Sequence, residues 1–218
     1  MSLKTFWLTL SLALAVAPIN AGERAKTAKG GGLAVKVSMF NDAQISDGKV
    51  ATAESVSAGL FAHAGIRIDW LNCGHATETG EERASCSEAA FPEHFEIRLR
   101  QRSLDLNEST LGLSFLGESG IGCHADVFYA GVEPIEQEAG LSAEAILGLV
   151  IAHELGHLLL GTNSHAVRGI MRANWKRQDL SLARKGMLGF TENQAQRMRV
   201  RLESASPLAG PLGASRSR

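Results

Sequence analysis

The segment from Ser142 to Gly161 constrains the fold more than any other part of the chain. Ile146, Leu147, Leu149, Val150, Ile151, Leu155, Leu158, Leu159 and Leu160 make it apolar nearly all round, the pattern of a buried helix. The same segment carries His153, Glu154 and His157, an HExxH spacing. Unpartnered polar groups inside a protein cost a few kcal/mol each, so three of them on a buried helix require a common purpose. With ordinary residue usage, a chance HExxH in a chain of this length is an event on the order of one in a hundred. Residues four apart lie one turn apart on one helix face, so His153 and His157 aim two imidazoles at one point. Neutral imidazole is a good zinc ligand, and a catalytic zinc takes three protein ligands and leaves one position for water. Glu154, beside the first ligand, reaches that water rather than the metal and suits a general base. An HExxH pattern is read this way when it lies on a helix. Ser142 supplies an N-cap and Glu144 a first-turn negative charge. Gly161 is a natural left-handed C-terminus, after which the chain returns His165 as a third ligand.

The rest of the chain is read relative to this helix. Residues 1–21 have the form of a secretory signal peptide, with Lys4 before an apolar core from Phe6 to Ala17, too short to span a bilayer. Residues 22–32 are a flexible lead-in, 33–204 one catalytic-type domain, and 205–218 a disordered Pro/Gly/Ser tail. The net charge is −1, or −2 once Lys4 is removed, so there is no basic field for nucleic acid and no polybasic membrane patch. A secreted or periplasmic monomer without a stable membrane anchor is expected.

Strands are expected from Leu33 to Phe40, Ile66 to Leu71, Phe95 to Arg100 and Ala125 to Tyr129, with a helix from Val50 to Ala64. The β-α-β order implies a parallel crossover. Leu113 to Gly122 is glycine-rich and reads as a loop, and Thr191 caps a last helix that packs Ala195, Met198 and Leu202. Cys73 and Cys86 bracket a polar loop, and in an exported chain such a pair forms a disulfide. The rival is a second metal site from Cys73, His75, Cys86 and His94. Cys123 is left over and reads as a buried thiol, next to His124, which is not expected to be a ligand. Asn107-Glu108-Ser109 is a glycosylation sequon.

The region from His153 to Met171 resembles the metzincin clan of zinc metallopeptidases, whose pattern is HExxHxxGxxH followed by a methionine-containing turn. His153, Glu154 and His157 match residue for residue. Gly161 and His165 match in kind, but lie four and eight residues after His157 instead of three and six. Gly169-Ile170-Met171 looks like the Met-turn. The resemblance implies an α/β (α+β) fold: a twisted mixed sheet with an edge strand over the cleft, two long helices and a small C-terminal subdomain. It implies zinc on His153, His157 and His165, Glu154 as general base, Met171 as a hydrophobic floor, and hydrolysis of peptide or protein substrates. It makes the strand before the active helix the antiparallel edge that pairs with substrate, placing Gly122, Ala125 and Tyr129 along the peptide. Arg172, Trp175 and Arg177 are candidates for a wall beside the cleft. Two alternatives stand beside this reading: a gluzincin-type peptidase with Glu192 as third ligand, and a non-catalytic exported binding module with a structural zinc.

Overall fold

The computed structural model describes residues 32–74, 79–102 and 110–205. The expected signal peptide, nearly all of the lead-in and of the tail, His75 and the Asn107 sequon lie outside the described residues.

Among these residues are five strands and six α-helices, a mixed α/β arrangement. β1 (Leu33–Asn41) leads through α1 (Asp47–His63) to β2 (Ile66–Cys73), and the two strands pair in parallel as the β-α-β order predicts. β3 (His94–Arg100) joins the other side of β1, also in parallel. β5 (His124–Phe128) lies parallel to β3, and β4 (Gly112–Phe115) closes the sheet antiparallel to β5. The order is β2-β1-β3-β5-β4.

Strand periodicity sorts the side chains to two faces. Val35, Val37, Met39, Phe95, Ile97, Leu99 and Val127 form the buried face, under α1 and α4 (Ala143–Leu160). On the other face of β3 and β5, Arg98 bridges Asp42 at 3.0 Å and Glu96 at 2.9 Å, and Arg100 forms an ion pair with Asp126 at 2.8 Å. α4 is long and apolar enough to cross a bilayer by composition, but here it is the core helix, with nearly every residue buried. Its termini follow the sequence: the Ser142 hydroxyl accepts from Ala145 N, and Gly161 ends it at φ 67°. α2 (Gly80–Cys86) follows β2, and Cys73 and Cys86 are joined by a disulfide. α3 (Val132–Ala139), α5 (Arg177–Arg184) and α6 (Glu192–Ala205) complete the chain. Thr191 and Gln194 cap α6 reciprocally, and Ala195, Met198 and Leu202 are its buried residues, as expected.

Two expectations are corrected. The stretch beginning at Leu113 is not all loop, because residues 112–115 form β4. The strand before the active helix is also not the edge: β5 is held between β3 and β4, with Ala125 fully buried. The antiparallel edge passes to β4. Ala125 is therefore interior, Gly122 closes the β4–β5 turn against the Phe115 carbonyl, and Tyr129 opens a short 3-10 turn past the strand. None of the three lies on a free edge.

Candidate metal centre

α4 presents His153 and His157 one turn apart, with ring centroids at 4.7 Å. His153 Nδ1 lies 2.7 Å from the Ile170 carbonyl, and His157 Nδ1 lies 2.7 Å from that of Thr162. A carbonyl oxygen only accepts, so each Nδ1 carries the proton and each Nε2 presents a lone pair. The two Nε2 atoms face each other at 3.1 Å. Lone pairs opposed at that distance in a buried site repel, and a cation shared between them reverses the sign. Two nitrogens on one tetrahedral zinc, each about 2.0–2.1 Å from it, stand about 3.3 Å apart, so the pair fits such an ion.

His165 arrives from the turn after α4, its ring 5.3 Å from His153 and 4.9 Å from His157. One nitrogen from each of the three lies within 4.8 Å of the others, and among the described residues this is the one cluster of metal-ligating side chains so gathered. Burial holds the His153 imidazole down to about 4 and lowers that of His157, so both are in the neutral, metal-binding form near pH 7.

Glu154 is 5% exposed. Burial pushes its carboxyl up to about 7, opposed by a hydrogen bond from Ser114, whose Oγ is 2.7 Å from Oε2. Glu154, His153 and His165 face a cavity of about 630 Å³, whose other walls include Leu111, Ile135, Val150, Arg172, Trp175 and Leu180.

The turn that carries Met171 packs against α4 at Gly156. A Cβ on Gly156 would stand 2.7 Å from Met171 Sδ, so the sulfur fills the hollow that this glycine leaves. Ala166 N donates to Met171 O at 2.7 Å, and Gly169 takes φ 76°, closing residues 166–171 on themselves. That closure brings Ile170 O to His153. The same carbonyl accepts from Trp175 Nε1 at 3.0 Å, so one backbone atom orients both a ligand and a cavity wall.

Other candidates fall elsewhere. Arg172 lines the cavity, but its guanidinium bonds Val167 O and lies 3.3 Å from Asp179. Arg177 begins α5 and is not part of the cavity wall. Glu192 is exposed and pairs with Arg199 at 3.2 Å, away from the histidine cluster, which removes the gluzincin-type alternative. The disulfide removes the rival metal site on the cysteines, and His94 is buried against Ser38 Oγ at 2.7 Å. Cys123 is half-buried with Sγ 3.6 Å from Ala89 O, and His124 sits between Glu96 and Asp126. The residues missed from sequence are Gly112 and Ser114. The available signal was period two: Leu113 and Phe115 alternate with Gly112 and Ser114, but the small residues, not the apolar ones, face the core.

No protein-family model matches this chain, and no curated protein does. Among solved structures it is similar to a zinc-dependent peptidase from Methanocorpusculum labreanum (strain Z), at TM-score 0.46 and 15% identity, over 74% of this chain and 99% of that chain.

Proposed function

We propose that this protein is a zinc-dependent endopeptidase of metzincin-like type, exported from the cytosol and acting on peptide or protein substrates as a monomer. The observation that carries the reading is the pair of opposed Nε2 atoms at 3.1 Å with a buried carboxylate on the adjacent residue. His153, His157 and His165 hold the ion. A zinc ion bound there supplies a Lewis acid for the scissile carbonyl and lowers the pKa of a coordinated water. Glu154 accepts a proton from the attacking water and returns it to the departing amine, so no covalent acyl-enzyme forms. A structural zinc needs no such base, which weighs against the binding-module alternative. The Cys73–Cys86 disulfide supports export, since such bonds persist in oxidising compartments.

β4, at the end of the sheet among the described residues, offers a backbone edge to an extended peptide. The cavity walls of Leu111, Ile135, Val150, Trp175 and Leu180 suit a bulky apolar side chain next to the scissile bond.

The test is cleavage of an unbiased peptide library by the purified protein and by Glu154→Ala, with bound metal measured in both. The expected result is cleavage beside large apolar residues, lost in the variant while zinc stays bound. Zinc in both proteins with cleavage by neither would sink the peptidase reading and leave the zinc-stabilised binding module.

A further inference from the structure

The strand nearest the proposed base is built around that base's side chain. In the β4–β5 ladder Gly112 stands opposite Val127 and Ser114 opposite Ala125, which puts both on the helix-covered face of the sheet. Leu113 and Phe115 point to the other face and are exposed. A Cβ on Gly112 would fall 2.5 Å from Glu154 Cγ and Oε1 and 2.6 Å from Cδ, so the carboxylate occupies the space a side chain at 112 would need. Two residues on, Ser114 Oγ is 2.7 Å from Glu154 Oε2 and 2.8 Å from Glu154 O, and Ser114 is 4% exposed. One inward residue leaves the room and the next supplies the hydrogen bond.

A glutamate side chain has three torsions, and the helix backbone disfavours one χ1 well but leaves the direction of the carboxylate to its contacts. We infer that Ser114, on the inward face of edge strand β4, is the positioning residue for the Glu154 base, with Gly112 supplying the space that the carboxylate fills. This rests on the peptidase reading of the site. Ser114 holds Oε2, and Gly112, which lines the cavity, leaves the Oε1 side open towards it. The device sits on a hydrogen-bonded strand rather than a loop, so its placement is stiff. The same four residues whose outer edge is proposed to take the peptide backbone thereby set the direction of the base.

The test uses the full chain with zinc, with Ser114→Ala and Ser114→Cys, the latter nearly isosteric but a weak donor. Steady-state kinetics, bound zinc and crystal structures are compared with the native protein. Expected is a kcat about 10- to 100-fold lower in both variants, with KM and zinc content unchanged and the Glu154 carboxylate displaced from its native position. A native kcat, a loss carried by KM or zinc, or a carboxylate that stays in place overturns the assignment. If the native protein cleaves no peptide, the peptidase reading fails by itself, and the crystal structures alone decide the positioning role: a displaced carboxylate supports it and an unmoved one overturns it.

Discussion

Glu154 and His153 are neighbours on α4, yet burial moves their protons in opposite directions. The charged form is disfavoured in both, so the carboxyl rises to about 7 and the imidazole falls to about 4. Without metal, the two have opposite effects on stability. Glu154 binds its proton more tightly folded than unfolded, so its contribution is full below about 4.5 and is lost as pH rises through about 7. His153 binds its proton less tightly folded, so its contribution is present above about 6.5 and is lost as pH falls through about 4. Glu154→Gln removes the contribution of the carboxyl. The interval from 4.5 to about 7, at 1.36 kcal/mol per pH unit, corresponds to roughly 3 kcal/mol. The metal-free variant should therefore be more stable than the metal-free native protein at pH 8, by up to that amount, and nearly equal to it at pH 4. Urea unfolding at the two pH values checks this; an equal difference at both would mean that the carboxylate is not strained by burial.

At the scale of elements, the site depends on how closely its backbones approach. Gly148 on α4 faces α1, and a Cβ there would stand 2.6 Å from Ala53 O and 2.7 Å from Val56 Cβ. In an open helix, glycine to alanine gains about 1 kcal/mol. Here overpacking against a carbonyl that cannot swing aside costs about 1–3 kcal/mol and outweighs the gain. Gly148→Ala should destabilise, while Gly59→Ala on α1, where nothing lies within 4 Å of the added carbon, should stabilise by about 1 kcal/mol or less. Chemical denaturation of the two variants measures the contrast, and a gain at both would show that α1 and α4 can move apart. β4 shows the same dependence on approach. Its inward face is made of a glycine and a serine because the Glu154 carboxylate already fills the space.

At the scale of the whole molecule, the disulfide and the proposed metal ion would act on different parts. The Cys73–Cys86 disulfide ties the end of β2 to the end of α2, across a separation of 13 residues. Closing such a loop contributes about 3 kcal/mol in the chain-entropy model. Reduction should lower the melting temperature by roughly 6–12 °C for a domain of this size. The proposed zinc ion, held by α4 and the turn after it, would stabilise by mass action, about 2.7 kcal/mol at a hundredfold excess over its Kd. Thermal unfolding with zinc and with chelator should show that gain in the native protein and lose most of it in His165→Ala. An undiminished gain in the variant would place the third ligand elsewhere.

Much of this was legible in one dimension because the signals are local. The His153–His157 spacing, the Ser142 and Gly161 ends of α4, the alternation in β1 and β3, and the cap of α6 depend on residues a turn or a few positions apart. Helical and strand periods express such neighbours directly in sequence. The cysteine pairing was legible too, given an exported chain. What only the tertiary structure decided is which distant segments meet. Ile170 O and Thr162 O set the imidazole tautomers, Met171 fills the hollow at Gly156, β4 rather than β5 takes the edge, and Ser114 meets Glu154 from 40 residues away. A strand's inward face is normally recognised by its apolar side chains. β4 turns its apolar residues outward because a polar side chain from α4 occupies the inside, and that exchange is a property of packing, not of the strand's own residues.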